Sequence, residues 1–279
     1  MNNLTTSLNY EYSPFGEALA EIARAVLPLT VKPDLKAHEY DLLVRSLWVV
    51  NHMTTKKGHS KLDGGCSVST DCHNCHFCRN MWRKAQDEVQ KTGKTNIICA
   101  SCYSDTDGKL HRGLANRNML NKAILNVQIP QEAWDEALQI PPFREFFRVQ
   151  SFGETDTVTE ACNFIRICRA IGRMMWNDDI PCGTWSKNSA VWGTSFDLLG
   201  KPENMTYVQS SPRINVRTPI APCIKKWCDH RFTVFSPDYL AKHPEIKINC
   251  GGESCKNCVK QHQRCYFRGG EFDINEKLK

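Results

Sequence analysis

Apolar residues recur with helical spacing over several separate stretches of the chain. Near the N-terminus Phe15, Ala18 and Ile22 fall on one helical face, and a second amphipathic run covers residues 38–50. Further helices are predicted over residues 80–92, 156–175 and 189–199. Asp156 or Thr157 can cap the helix over residues 156–175, and Gly200 ends the helix over residues 189–199.

Between these helices lie short apolar runs that end in small or polar residues. They cover residues 95–99, 147–151, 180–186, 205–210, 232–235 and 246–250. Strands that alternate with helices favour parallel pairing, which predicts an α/β fold. A closed eight-stranded barrel needs more chain than this region offers, so we expect a partial (split) parallel β/α barrel.

The same pattern divides the chain into three segments. Residues 1–65 are predicted to form a helical segment that packs on the main domain, and residues 66–245 the partial barrel with its cysteines. Residues 246–279 are predicted to form a metal-binding loop and tail.

Composition narrows the functional classes. The 36 Lys and Arg against 30 Asp and Glu give a net charge of +6, which permits a nucleic-acid partner without demanding one. No secretory leader pattern opens the chain, and no run approaches the roughly 18 apolar residues of a membrane span. We therefore expect a cytoplasmic protein with no membrane contact. A reducing cytoplasm keeps the 15 cysteines available for metal binding.

The last four cysteines form a short constellation. Cys250, Cys255, Cys258 and Cys265 have the spacing C-x4-C-x2-C-x6-C, so four thiolates can converge on one metal centre. The C-x4-C-x2-C part matches the start of a plant-type ferredoxin loop. Zinc also accepts four such sulfurs. An iron–sulfur cluster is favoured here, and zinc stays open.

A second centre is predicted from Cys78, Cys99 and Cys102. Three protein ligands leave one iron of a 4Fe–4S cluster open, and an open position is where a substrate or cofactor binds. Cys72 and Cys75 form C-x2-C-x2-C with Cys78, so one of them can supply a fourth ligand and close the site.

Other cysteines have a simpler interpretation. Cys162 and Cys168 lie along the apolar stripe of a predicted helix, where a free cysteine behaves as a small buried hydrophobe. No role is predicted for Cys66, Cys182, Cys223 or Cys228.

Polar residues follow the predicted strands and give candidates for ligand binding. They are Ser151, Gly153, Glu154, Lys187 and Ser210. The carboxyl ends of parallel strands meet at one rim, so these residues are expected to surround one cavity beside the three-cysteine centre. Glu154 can accept hydrogen bonds from an ammonium group, and Lys187 can pair with a carboxylate.

The order of these motifs resembles the phage-associated gene-product-88 family, a relative of radical S-adenosylmethionine barrel proteins. The resemblance covers about residues 78–265. Its pieces are Cys99-x2-Cys102-Tyr103, residues 147–154, Trp185-Ser186-Lys187-Asn188, residues 207–211 and the closing cysteine loop.

The resemblance implies a radical-S-adenosylmethionine-like split barrel in a phage protein of the host cytoplasm. Gly153 and Glu154 are similar to the Gly-Gly-Glu motif that holds the amino group of S-adenosylmethionine in that superfamily. The chain lacks the superfamily's compact C-x3-C-x2-C motif, so Cys78 would be the partner of Cys99 and Cys102.

Two functions follow as expectations. The first is an iron–sulfur enzyme that carries one or two 4Fe–4S clusters, binds S-adenosylmethionine and acts on a small molecule. The second is a binding or regulatory protein of a mobile element, whose iron–sulfur or zinc centres only hold the fold. That protein would contact nucleic acid or a protein partner.

Overall fold

The fold is described from a computed structural model of the chain. The described residues are 14–47, 50–51, 64–71, 76–101, 112–140, 145–151, 153–174, 180–251, 255–262, 264–270 and 272–278. Cys72, Cys75 and Cys102 lie outside them, as do Tyr103 and Phe152.

Seven strands form one open sheet in which neighbours in space are also neighbours in sequence. The first pair is antiparallel, and the six strands from β2 to β7 run parallel. The strands are β1 (Val50–Asn51), β2 (Gly65–Val68), β3 (Phe146–Val149), β4 (Cys182–Ser186), β5 (Met205–Ser210), β6 (His230–Phe235) and β7 (Asp273–Lys277). The prediction of an α/β fold with a parallel sheet is confirmed, and the sheet draws strands from all three predicted segments.

Nine α-helices accompany the sheet in the described chain. They are α1 (Pro14–Val26), α2 (Ala37–Arg45), α3 (His76–Thr92), α4 (Arg112–Leu125), α5 (Gln131–Ala137), α6 (Val158–Gly172), α7 (Ser189–Leu199), α8 (Pro237–Lys242) and α9 (Cys255–Lys260). Short 3-10 helices cover Leu29–Val31, Ile98–Ser101, Pro222–Ile224 and Arg264–Tyr266.

The two faces of the sheet have different coverings. When strand order follows the sequence, right-handed crossovers place the connecting helices on one face. On this outer face Phe147, Val149 and other buried strand residues join apolar residues of α1, α2 and α4 to α7 in the main core. On the opposite, inner face Phe146 packs in a smaller cluster with Cys255 and Tyr266. The C-terminal cysteine segment therefore covers part of the inner face.

Several predicted elements are present, some with the predicted bounds and some with different ends. β5 and α7 coincide with residues 205–210 and 189–199, and Gly200 follows α7 with φ +73°. Thr157 caps α6, accepting a hydrogen bond from the Glu160 amide at 3.1 Å. α1 and α2 confirm the two helices predicted near the N-terminus, although α2 ends at Arg45 and Val50 belongs to β1.

Two predicted strands are wrong. Residues 95–99 hold a single antiparallel bridge between Ile97 and Arg213 before the chain enters a 3-10 helix, so Cys99 does not end a strand. Residues 246–250 make only one bridge, from Cys250 to Glu276. The sheet instead contains β2 and β7, which the sequence pattern did not predict. No helix in the described residues has both the length and the apolar character to cross a membrane.

Candidate functional site

The candidate site lies at the carboxyl edge of the parallel sheet. The loop after β3 reaches this edge by a close approach to the segment that follows β2. Gly153 has φ +82°, and a Cβ atom there would lie 2.5 Å from the carbonyl oxygen of Thr70. Only glycine fits both the backbone conformation and the contact. This glycine allows the next residue, Glu154, to turn into the protein.

Glu154 is the buried acid of the site. Its carboxylate accepts hydrogen bonds from the Ser186 hydroxyl at 2.5 Å, the Lys187 amide at 2.9 Å and the Thr155 amide at 3.2 Å. Only 2% of the residue is exposed. Burial raises the pKa of Glu154, while the Lys187 ammonium opposes that shift. Glu154 therefore joins the ends of β3 and β4, two neighbouring strands.

Cys78 and Cys99 meet beside this carboxylate. Cys78 lies in the first turn of α3 and Cys99 in the 3-10 helix Ile98–Ser101. Their side chains hydrogen-bond, which lowers the pKa of the Cys99 thiol to about 7; the Lys187 ammonium also lowers it, while burial and the Glu154 carboxylate raise it. The four side chains share one electrostatic environment, although Cys99 is not at a strand end.

Asp156 fixes the position of Cys78. Its carboxylate accepts the amide hydrogens of His76 at 2.7 Å and Phe77 at 3.2 Å, so it caps α3 rather than α6. Lys122 of α4 contacts the same carboxylate at 3.1 Å. The first turn of α3, including Cys78, is thus fastened to the loop that carries Glu154.

A buried network supports this loop and was not predicted from the sequence. Gln150, with φ +56°, donates to Thr70 Oγ1 at 2.8 Å and to Glu160 Oε1 at 3.0 Å. Glu160 Oε2 accepts the Asp156 amide hydrogen at 3.0 Å. Burial raises the pKa of Glu160 to about 7. The only sequence signal for Glu160 was its place in the first turn of a helix, where an acid is common.

Ser151 and Ser210 lie at or just after strand ends, where the sequence pattern placed them. The Ser151 hydroxyl contacts the Ser67 and Ser69 hydroxyls at 3.0 Å each, which ties the end of β3 to β2. Ser210 is the buried last residue of β5 and pairs with Phe232, and no described hydrogen bond joins it to Glu154. That the two serines line a ligand site together with Glu154 stays a prediction.

The C-terminal cysteines lie on the inner face. Cys255 begins α9, and Cys265 lies in the 3-10 helix Arg264–Tyr266; both pack in the cluster around Tyr266. Cys258 is half-buried on α9. Cys250 lies beside β7, where its amide donates to the Asn275 carbonyl at 3.0 Å. The structure places Cys255 and Cys265 in one cluster and Cys250 beside β7, the last strand of the sheet.

The cysteine thiols of both regions are the donors that could hold a metal. Among the described residues no three His, Cys, Asp or Glu side chains are already grouped to hold a metal ion, and Cys102 is not among those residues. The thiols themselves are the ligands that iron–sulfur clusters and zinc use. The buried hydroxyl of Tyr266 lies beside Cys255 and could donate a hydrogen bond to a thiolate there. The chemistry of the donors therefore suits a thiolate-bound metal, although the four C-terminal cysteines, all of them described, are not grouped around one point in this structure.

The remaining cysteines belong to the core or the surface. Cys162 and Cys168 are buried on α6, as predicted. Burial raises the pKa of Cys182, and its thiol hydrogen-bonds with that of Cys168. Cys223 is exposed.

Comparisons of the whole chain with protein-family models, with curated proteins and with solved structures give no match.

Proposed function

We propose that this chain is an iron–sulfur protein with a radical-S-adenosylmethionine-like half barrel, related to the phage gene-product-88 family. Cys78, Cys99 and Cys102 hold a 4Fe–4S cluster at the carboxyl edge of the sheet. Glu154 and Lys187 bind the ammonium and carboxylate of the amino-acid end of S-adenosylmethionine. The C-terminal cysteines hold a second centre.

One observation carries this proposal: the Cys99 thiol, which hydrogen-bonds with Cys78, lies within the electrostatic reach of a buried carboxylate and an ammonium. A buried carboxylate with a half-buried ammonium beside it is a costly arrangement for packing alone. A ligand that brings an ammonium and a carboxylate of its own compensates both charges. The location at the carboxyl edge of parallel strands is the usual place for ligand sites in such sheets.

Glu154 has capacity for one more hydrogen bond. A carboxylate offers about four lone-pair sites, and protein donors already use three of them. An incoming ammonium would occupy the remaining site and favour the ionised form that burial disfavours. A cluster bound by three cysteines supplies an open iron and one-electron chemistry when present.

Calorimetric titration of anaerobically purified protein with S-adenosylmethionine tests the proposal. Wild-type protein should bind it. Glu154→Gln should weaken binding by roughly tenfold or more, because a charge-assisted hydrogen bond is lost. Iron content should stay unchanged in that variant. Glu21→Gln, an exposed position on α1, is the matched control. No heat with wild-type protein, or equal affinity in Glu154→Gln, contradicts the ligand assignment.

A second candidate function, nucleic-acid binding, is favoured by the exposed side of α3. Trp82 is 51% exposed, and Arg79 and Arg83, both exposed, share its side of the helix. An aromatic ring with flanking guanidinium groups suits the stacked bases and phosphates of a single strand. Fluorescence anisotropy with a labelled oligothymidylate should then detect binding that Trp82→Ala weakens and that Lys225→Ala leaves unchanged. Absence of binding by the wild-type chain contradicts this function.

A further inference from the structure

Tyr266 occupies a place on the inner face that is shaped for its ring. The ring centroid lies 4.9 Å from that of Phe146 and 5.3 Å from that of Trp185. A Cβ atom at Gly183 would come within 2.9 Å of the Tyr266 ring, so this glycine leaves the space that the ring fills. Only 3% of Tyr266 is exposed. The ring contacts would be equally available to a phenylalanine.

The hydroxyl of Tyr266 is what phenylalanine would lack. It is buried and makes no hydrogen bond to a nitrogen or oxygen atom in the described chain. The Cys255 side chain lies against it, and the neighbouring Cys265 interacts with it electrostatically. A buried hydroxyl without a hydrogen-bond partner lowers the stability of the fold. A hydroxyl placed among apolar rings is therefore expected to have an acceptor.

The Cys255 sulfur can be that acceptor when the protein holds a metal. A neutral thiol accepts a hydrogen bond weakly, whereas a metal-bound thiolate is a charged and much stronger acceptor. Arg148, stacked 4.3 Å above the Trp185 ring, adds positive charge near these residues.

We propose that Tyr266 donates its hydroxyl hydrogen to the Cys255 thiolate when the C-terminal cysteines hold a metal centre. Tyr266 is then a positioning residue that orients Cys255 and lowers the negative charge on its sulfur. This inference rests on the part of the proposed function that places a metal at these cysteines. It does not depend on S-adenosylmethionine or on the centre at Cys78 and Cys99.

The test uses the full chain in a Cys99→Ala background, so that signals come from the C-terminal centre. The protein is reconstituted anaerobically with ferrous iron and sulfide, and its midpoint potential is measured with and without Tyr266→Phe. Hydrogen bonds to cluster sulfurs help to set reduction potentials. The potential of Tyr266→Phe should be lower than that of its parent, and EDTA should remove iron about tenfold faster. Tyr239→Phe, which removes a hydroxyl on α8, should match the parent.

Thermal unfolding of the metal-free proteins separates this role from a packing role. The metal-free Tyr266→Phe protein should unfold at the same temperature as its parent or at a higher one, because the buried hydroxyl has no nitrogen or oxygen partner to lose. Iron bound at normal stoichiometry with an unchanged potential in Tyr266→Phe would overturn the inference and leave the proposed centre intact. A parent protein that takes up no iron at these cysteines would overturn both.

Discussion

Glu154 accepts a hydrogen bond from the Ser186 hydroxyl at 2.5 Å, which joins the loop after β3 to the last residue of β4. The same carboxylate accepts the Lys187 amide hydrogen, so hydrogen bonds connect Glu154 to both Ser186 and Lys187. Cys99 approaches these residues from a different part of the chain.

Replacing Gly153 should test the close approach that turns Glu154 inward. Gly153→Ala places a Cβ atom against the Thr70 carbonyl and also strains a backbone with φ +82°. We expect a loss of about 3 kcal/mol or more in the free energy of unfolding, from both effects together. Gly93→Ala is the control, because Gly93 has φ +75° with nothing within 4 Å of the added atom. That control should lose only about 1 kcal/mol. Equal losses in a denaturant titration would contradict the contact.

Glu160 should give the protein a measurable pH dependence. Its pKa rises from 4.5 in the unfolded chain to about 7 in the fold, so the folded state binds the proton more tightly. The stabilisation is fully present below pH 4.5 and is lost as pH rises through 7. It amounts to on the order of 3 kcal/mol. Glu160→Gln should reduce this slope between pH 4.5 and 7, and the slope that remains belongs to Glu154, whose pKa burial also raises. A slope that is unchanged in the variant would assign the titration to another group.

Removing the Asp156 carboxylate should loosen the first turn of α3. Asp156→Ala deletes the cap of His76 and Phe77 and the ion pair with Lys122, which should cost about 1 to 2 kcal/mol. Amide hydrogen exchange at residues 76–78 should accelerate. Asp238→Ala, at an exposed acid of α8, should leave that exchange unchanged. Unaltered exchange in Asp156→Ala would mean that other contacts hold Cys78 in place.

Much of the fold followed from local pattern, and the exceptions have physical causes. β5 and α7 were predicted correctly because the apolar positions of each lie between clear end signals, such as Gly200 after α7. β2 was missed because Gly65, Cys66 and Ser67 have little intrinsic preference for strands. They adopt a strand because they are buried and paired between β1 and β3. β7 was missed because its polar residues Asp273, Asn275 and Glu276 resemble a loop.

The site was predictable only in part. Glu154 and Lys187 were found because each follows a strand, and strand ends meet at one edge in a parallel sheet. The contact between Cys78 and Cys99 does not follow from strand order, because Cys99 lies in a 3-10 helix. Long-range hydrogen bonds such as that from Gln150 to Thr70 have no local sequence signal.

The most direct test of the central claim is the metal and sulfide content of anaerobically purified protein. Iron, zinc and acid-labile sulfide should be measured per chain in the wild type, Cys99→Ala and Cys258→Ala. We predict that the wild type holds iron and sulfide, that each variant loses about half of them, and that the two variants retain clusters with different spectra. Protein that carries zinc without sulfide, or variants with unchanged iron, would contradict the account.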